Sequence, residues 1–242
     1  MIARLRAAAC FLVALPIGST PVLEPDLRRA APWFPVIGLL LGLVVALVGI
    51  GTVDWLGPDL SALLVVASLA WLTGGLHLDG LADTFDGLGG WRGDRERFLE
   101  IMRDPRVGAH GVVSLVLLLV GKILAVREHI DLVPEAVVLG VLVARALVPL
   151  LLVGWPYARD EGTGGLLHEG TRRADAVTAL LFAAGIAVLA QGAAAAAGGV
   201  LVGLALAWFL GRRLRGLTGD SYGAVVEVVE LAVWMLYGVL PW

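Results

Sequence analysis

Long apolar stretches are the feature that most constrains this chain. Seven stretches, each roughly 20 residues long, are apolar enough to cross the hydrocarbon core of a bilayer as helices. The fifth and sixth nearly touch near Gln191 and Gly192, which predicts a helical hairpin. The sequence therefore predicts an all-α integral membrane protein, a polytopic bundle of about seven transmembrane helices. The stretches cover residues 33–53, 59–78, 109–126, 133–153, 174–191, 193–210 and 222–241.

The composition supports a membrane protein. Of 242 residues, 59% are hydrophobic and only 16% are charged, whereas soluble domains are usually about 25% charged. The one cysteine, Cys10, excludes an intrachain disulfide and argues against a cysteine-based metal site. No polar segment is long enough to fold separately, so we expect one membrane-embedded domain over residues 1–242.

The N-terminus carries Arg4 and Arg6, followed by an apolar run from Ala7 to Ile17. This run is too short to cross about 30 Å of hydrocarbon as a helix. A removable signal peptide is one alternative. A short N-terminal helix at the membrane interface, or buried beside the bundle, is the favoured prediction.

Basic residues predict the orientation of the bundle. Fifteen of the 18 Lys and Arg residues lie at the N-terminus or in the segments 79–108, 154–173 and 211–221. The alternate loops contain only Arg127, while Lys122 and Arg145 fall inside apolar stretches. Such a bias places the N-terminus and the three polar segments in the cytoplasm and Trp242 on the far side. We expect these segments to be the active-site loops.

The segment from Thr73 to Gly111 contains the most informative pattern. Asp79, Asp83 and Asp86 are spaced i, i+4, i+7, so on a helix they project within about 60° of one another. Three carboxylates on one face repel each other unless a cation neutralises them, and hard oxygen ligands suit Mg²⁺. A solvated helix end is the alternative. It is less favoured because these acids follow an apolar span, where the helix dipole disfavours them.

Glycines and further charges follow the three acids. We expect Gly87, Gly89 and Gly90 to break the helix, and the backbone of Gly89 and Gly90 to approach a phosphate, although glycines often mark only a turn. Arginines in this segment could clamp phosphates, or they could simply be solvated cytoplasmic residues.

A second charged cluster comprises Glu100, Arg103 and Asp104. An acid here could extend the metal site or act as a base, and Arg103 could bind an anion. The alternative is a surface helix with local ion pairs. His77 and His110 flank the whole segment; such residues are more often structural, but His77 is kept as a catalytic candidate.

Charged residues also occur inside the apolar stretches. Lys122 and Arg145 should face the bundle interior, although Lys122 could instead extend to the interface. We expect Arg145 to bind an anionic substrate. Asp220, just before the last stretch, is either a helix N-cap or part of the acid site, and Glu227 lies within that stretch.

At this point the residues resemble a known family, cobalamin synthase (adenosylcobinamide-GDP ribazoletransferase). The matching blocks extend in order from about residue 31 to 230, and Phe85 is a minor departure on the packed face. The blocks read APWFPVIGLLLG, TGGLHLDGLADTFDGLGG, LEIMRDPRVGAHG and RLRGLTGDSYGA.

The resemblance implies a function. The family transfers the cobinamide-phosphoryl group of adenosylcobinamide-GDP to α-ribazole or α-ribazole 5′-phosphate, with loss of GMP, using Mg²⁺ at the bacterial inner membrane. By position, the residues carried over are Asp79, Asp83, Asp86 and Asp104, with Asp220 a reasonable addition. The metal ligands are then expected to be Asp79, Asp83, Asp86 and Asp220, and Asp83 or Asp104 to be the base. Other enzymes of cobalamin assembly are further candidate partners, and no nucleic acid is expected.

Three other classes remain as alternatives. A CDP-alcohol phosphotransferase also uses a DG…A…D…D array, but Asp83 stands here where that class would have an AR pair. A membrane prenyltransferase would need a second aspartate-rich motif. An ion-coupled transporter would hold its charges at the midplane rather than at one edge.

Overall fold

The computed structural model describes residues 1–18, 20–129 and 133–237. Over these ranges the chain is helical and forms no β-strand, apart from one isolated parallel bridge between Tyr157 and Leu217. A short 3₁₀ turn covers Ala31–Trp33. The α-helices are α1 (Ile2–Leu12), α2 (Glu24–Leu27), α3 (Phe34–Leu72), α4 (Leu76–Gly90), α5 (Arg95–Ile101), α6 (Ala109–Glu128), α7 (Val133–Gly154), α8 (Thr163–Gly170), α9 (Arg173–Leu189), α10 (Ala193–Leu214) and α11 (Gly219–Tyr237).

Helix α3 consists of two arms that reverse direction at Gly57, whose φ of 74° is not helical. A straight helix of 39 residues would be about 60 Å long. Both ends of α3 nevertheless lie beside α1: the Phe34 ring stacks on Phe11, and the Leu72 carbonyl accepts a hydrogen bond from the Ala14 amide. The two predicted spans 33–53 and 59–78 therefore exist as antiparallel arms. The second ends at Leu72, earlier than predicted.

The chain contains four helical segments that are long and apolar enough to cross a membrane, within the part the structure describes. Helix α9, with 17 residues, is shorter than each of those four segments. Helix α11 carries three acids, Asp220, Glu227 and Glu230, which is more than any of the four carries. The all-α membrane fold is confirmed, whereas the count of seven spans stays a prediction. The end of the last predicted span, with Trp242, lies outside the described residues. The four segments are Ala31–Leu72, Ala109–Glu128, Pro134–Gly154 and Ala193–Leu214.

Helix α7 forms the centre of the bundle. Leu139, Leu142 and Leu147 are fully buried, and α7 packs against α3, α9, α10 and α11. Its close contact with the first arm of α3 depends on Gly38 and Gly42. A Cβ atom at Gly42 would come within 2.8 Å of the Val138 Cα atom.

The short elements at the edge of the bundle agree with the sequence. Helix α1 is present and buries Ala7, Ala8 and Leu12, so it lies beside the bundle, as favoured above. The predicted hairpin is also present, because α9 ends at Leu189 and α10 begins at Ala193.

Four charged side chains form a buried network between α6, α7 and α11. Lys122 contacts both Glu227 and Glu230, and Arg145 contacts Glu230. The predicted interior position of both cations is confirmed, and the alternative that Lys122 extends to the interface is wrong. Two cations and two carboxylates leave this network neutral, which is how charge is tolerated inside a membrane.

Helix α4 is a separate helix rather than the end of a span. Gly74 and Gly75 adopt positive φ and separate the two helices, so α4 begins at Leu76 and Asp79 lies in its first turn. The prediction that the acids lie at a helix C-terminus is therefore wrong for Asp79. Asp79 lies near a helix N-terminus, where the helix dipole stabilises a negative charge. The predicted break at Gly87 and Gly89 is also wrong, because α4 continues to Gly90. Most of the predicted loop 79–108 is thus helical.

Candidate active site

Three of the four predicted acidic ligands meet where α4 crosses the first turn of α11. Gly80 makes this crossing possible, since a Cβ atom there would lie 2.8 Å from the Asp220 carbonyl oxygen. Partial burial, the negative charge of Asp220 and that of Asp79 raise the pKa of Asp83 to about 7. The structure therefore brings Asp79, Asp83 and Asp220 into one electrostatic cluster, as the resemblance but not the spacing predicted.

Asp86 has a different role from the other acids of α4. Its carboxylate accepts hydrogen bonds from the backbone amides of Gly108 and Gly111, at 2.6 and 2.8 Å. These amides belong to the first turn of α6, which has no side-chain cap of its own. A Cβ atom at either glycine would collide with the Asp86 carboxylate. Asp86 thus caps α6, which argues against its predicted role as a metal ligand.

Asp220 is paired with a cation that the sequence analysis did not select. The Arg159 guanidinium lies 2.6 Å from the Asp220 carboxylate, and also donates a hydrogen bond to the Met102 carbonyl. Asp220 itself is not the N-cap of α11, because the Thr218 hydroxyl accepts the hydrogen bond from the Ser221 amide. Arg159 lies in the predicted cytoplasmic segment 154–173, but nothing in the sequence linked it to Asp220.

Two cavities meet at Asp79. The larger is an open cleft of about 950 Å³ between α1, the end of α3, α4 and the segment 102–107, and Asp83 and Arg103 line it. The smaller has a volume of about 240 Å³ and lies between α1, α4, α7, α8 and α11, where Asp220 and Arg159 line it. Asp79 borders both, so a ligand in each cavity could reach the same carboxylates.

In the large cleft, Arg103 and Asp104 behave differently. Arg103 is exposed and its side chain has no hydrogen-bond or ion-pair partner among the described residues. Asp104 is held by Arg106 through two hydrogen bonds, which lower the pKa of Asp104 to about 2. Arg103 is therefore available for an anion, and Asp104 is a poor proton acceptor near neutral pH.

For much of the cluster of Glu100, Arg103 and Asp104, the alternative interpretation as a surface helix with local ion pairs is correct. Glu100 pairs with Arg97 at 2.7 Å, one turn earlier on the exposed face of α5. Arg95 donates hydrogen bonds to the carbonyls of Leu214 and Ala158. Arg95 thus connects α5 to the segments that carry Leu214 and Ala158. The contacts of Arg95 and Arg97 are therefore structural, and neither is an arrangement that binds a phosphate.

His77 and Arg145 lie below the acid cluster. The His77 ring is buried and its Nδ1 is 3.5 Å from the Arg145 guanidinium. Arg145 is 0% exposed and contacts Glu230, so the structure does not support its predicted role in binding substrate. His77 borders the small cavity, and its catalytic role stays a prediction.

The glycines at the end of α4 are sites of close packing. A Cβ atom at Gly87 would collide with the Phe98 ring, at Gly89 with the His110 ring, and at Gly90 with Ile101. These contacts bring α5 and the start of α6 against α4. Gly89 and Gly90 border a separate surface cleft, and phosphate binding by their backbone stays a prediction.

The acid cluster has suitable donors for Mg²⁺, although they do not form a complete cage. Carboxylate oxygens are the ligands that Mg²⁺ prefers, and it commonly uses one or two of them with waters and substrate phosphates. No group of three or more His, Cys, Asp or Glu residues in the described ranges is arranged to hold a metal ion. Asp79, Asp83 and Asp220 thus fit the ion by donor chemistry, and the substrate phosphates and waters would have to complete its coordination.

Comparison with known proteins places the chain in a family. The family described as cobalamin-5-phosphate synthase matches residues 4–238. An adenosylcobinamide-GDP ribazoletransferase from Klebsiella pneumoniae is 40% identical over 240 residues, covering 96% of this chain and 97% of that protein. A protein of the same name from Bradyrhizobium diazoefficiens is 42% identical over 246 residues, covering 98% of this chain and 93% of that protein. No solved structure matches the chain.

Proposed function

Because the chain belongs to the cobalamin-5-phosphate synthase family, we propose that it joins adenosylcobinamide-GDP to α-ribazole or α-ribazole 5′-phosphate, with release of GMP. Membership of this family decides against the CDP-alcohol phosphotransferase, prenyltransferase and transporter alternatives. The products are adenosylcobalamin or its 5′-phosphate.

The observation that carries this proposal is the pair of cavities that share Asp79. A reaction that joins two molecules needs two binding regions that meet at the reacting groups. The open cleft suits the bulky corrinoid, of which only the phosphate end must enter. The small cavity suits the second substrate.

The chemistry follows from the charges at the junction. A ribazole hydroxyl oxygen forms a bond to the phosphorus beside cobinamide, and the bridging P–O bond of the pyrophosphate breaks as GMP leaves with its electron pair. Asp83 is the better candidate to take the hydroxyl proton, since Asp104 is held by Arg106. Arg103 in the cleft and Arg159 beside Asp220 are placed to bind phosphate oxygens.

The proposal includes Mg²⁺ as the cofactor, held by Asp79 and Asp220, while Asp83 is kept free as the base. When bound, the ion would neutralise negative charge on the pyrophosphate. Asp86 is left out of the ligand set because it caps α6. The direct test is Mn²⁺ binding measured by electron paramagnetic resonance, which should weaken in Asp79→Asn and stay unchanged in Arg97→Ala. Equal binding by both variants would remove the metal from the proposal.

The setting is the inner membrane of a bacterium, with the N-terminus and the acid site facing the cytoplasm. Fifteen basic residues on one side of the predicted topology support this orientation. The cytoplasm also contains the nucleotide substrate. Other enzymes of cobalamin assembly at this membrane are further proposed partners.

The test of the activity is a turnover assay with the purified protein in liposomes. Adenosylcobinamide-GDP, α-ribazole 5′-phosphate and Mg²⁺ are supplied, and GMP is measured by chromatography. We expect GMP release that requires both substrates and stops with a chelator. Release without α-ribazole 5′-phosphate would identify a hydrolase instead, and no release would overturn the proposed function.

A further inference from the structure

The small cavity has a mixed lining that indicates its ligand. One end holds Asp79, Asp220 and Arg159, which belong to the acid site. Val226 lies six residues after Asp220 on α11, about 9 Å along the helix. Leu152 and Phe34 are further apolar lining residues, with the Phe34 ring stacked on Phe11. A ligand that fills this cavity must therefore be polar at the acid end and apolar at the other.

Tyr222 supplies a buried polar group of the cavity outside the acid site. This tyrosine is 6% exposed, lines the cavity, and its hydroxyl has no hydrogen-bond partner among the described residues. A buried hydroxyl without a partner costs roughly 1–3 kcal/mol. Such a group is usually explained by a ligand or an ordered water that completes its hydrogen bonding.

We propose that this cavity binds the aromatic base of α-ribazole, with the Tyr222 hydroxyl donating a hydrogen bond to the ring nitrogen that is not joined to ribose. The assignment rests on the proposed function, which names α-ribazole as a substrate. A fused aromatic ring is flat and largely apolar, so it matches the apolar end and can extend the stack of Phe11 and Phe34. It has a single acceptor nitrogen, which matches the Tyr222 hydroxyl; the other unpartnered donor among the described lining residues, the Arg159 Nε, belongs to the acid site.

The orientation of the ligand follows from the two ends of the cavity. With the base at the apolar end, the ribose of α-ribazole lies at the acid end beside Asp79 and Asp220. Its hydroxyl groups then face the open cleft, where the phosphate to be attacked would enter. The Tyr157 ring also lines the cavity and packs on Gly164.

The other parts of the two substrates fit this cavity less well. At about 240 Å³ it is smaller than the roughly 300–1,000 Å³ of pockets that enclose drug-sized ligands, so a corrin ring is excluded. Guanine presents several donors and acceptors around its edge. Those groups would be left unpaired against Leu152, Val226 and Phe34.

The experiment separates the two substrates kinetically. Tyr222→Phe keeps the ring and removes only the hydroxyl, so it should fold. We expect its KM for α-ribazole 5′-phosphate to rise about 3- to 10-fold, with the KM for adenosylcobinamide-GDP unchanged. Tyr237→Phe is the matched control, since it makes the same change on the same helix, where the hydroxyl donates to the Ala190 carbonyl outside the cavity. A second variant, Leu167→Phe, narrows the cavity and should act on the same KM.

Direct binding keeps this inference distinguishable from the proposed function. Equilibrium dialysis of α-ribazole 5′-phosphate alone should show weaker binding to Tyr222→Phe than to the wild type and Tyr237→Phe. If the wild type binds this ligand through Tyr222 but releases no GMP, the proposed function fails and the site stands. If the wild type is active and Tyr222→Phe changes neither binding nor either KM, or raises only the KM for adenosylcobinamide-GDP, the site assignment is overturned.

Discussion

Asp79 and Asp86 are carried by the same helix, yet their carboxylates meet different surroundings. Asp79 is exposed and borders both cavities, and no backbone amide of the described residues is bound to its carboxylate. Asp86 is half-buried and accepts two amide hydrogen bonds from the start of α6. A carboxylate that satisfies a helix N-terminus is stabilised by the helix dipole. Asp86 therefore has a structural role as the cap of α6, whereas Asp79 stays a candidate ligand at the cavities.

We predict that Asp86→Ala acts on stability and Asp79→Asn acts on activity. Loss of the cap should lower the free energy of unfolding by about 1–2 kcal/mol, measured by thermal unfolding in detergent. Loss of the Asp79 charge should lower kcat/KM by about 100-fold or more without changing that stability. An Asp86→Ala protein that is fully stable but inactive would restore Asp86 to the ligand set.

A second prediction concerns Arg103, whose exposed guanidinium borders the large cleft without a partner among the described residues. Arg103→Ala should raise the KM for adenosylcobinamide-GDP by about 10-fold or more, as expected for loss of a hydrogen bond from a charged group. Arg97→Ala is the matched control, because Arg97 lies on α5 and pairs with Glu100 at the surface. Equal effects of the two variants would indicate a general charge effect.

Helices α6, α7 and α11 are joined by the network of Lys122, Glu227, Glu230 and Arg145. The network continues to α4, since Arg145 also contacts His77. Each member is buried, so each depends on its partners for compensation of charge. These contacts connect the helices of the core to the helix that carries Asp79 and Asp83.

We predict that Lys122→Met destabilises the bundle by about 3–5 kcal/mol, because it leaves a buried carboxylate without compensation. The double variant Lys122→Met, Glu227→Gln restores neutrality and should recover most of the stability in thermal unfolding. Arg127→Met is the control: it removes the exposed pair with Asp59 and should cost about 1 kcal/mol or less. A Lys122→Met protein as stable as Arg127→Met would show that the network is not needed for stability.

The helices could be predicted where one long hydropathy pattern determines their bounds. They were harder to predict where packing between distant segments determines the bounds. The hydropathy of residues 133–153 sufficed to place α7, whose observed bounds are Val133–Gly154. The break between α3 and α4 at Gly74 and Gly75 was not predicted, because the apolar pattern runs on to Leu78. The glycines of α4 were assigned to a break because their contacts with Phe98 and His110 depend on α5 and α6. Contacts between distant segments, such as Arg159 with Asp220, leave no local pattern at all.

For the whole molecule, the acid site lies at one end of the bundle. The first turns of α6 and α11 both meet α4 there, at Gly111 and Asp220. The reversal of α3 lies at the opposite end, where Asp59 pairs with Arg127 near the end of α6. The distribution of basic residues sets which end faces the cytoplasm. The orientation therefore decides whether the acid site can meet a cytoplasmic nucleotide.

We predict opposite labelling of two single-cysteine proteins built on Cys10→Ser, which removes the one native thiol. Trp55→Cys, beside the reversal of α3 and 88% exposed in the native residue, should react with a membrane-impermeant maleimide in spheroplasts. Glu96→Cys, on exposed α5 near the acid site, should react only after lysis, because positively charged segments stay in the cytoplasm. Gel-shift detection of the added mass measures both. Labelling of Glu96→Cys in intact spheroplasts would place the acid site outside the cell, away from nucleotide substrates, and would contradict both the orientation and the proposed source of adenosylcobinamide-GDP.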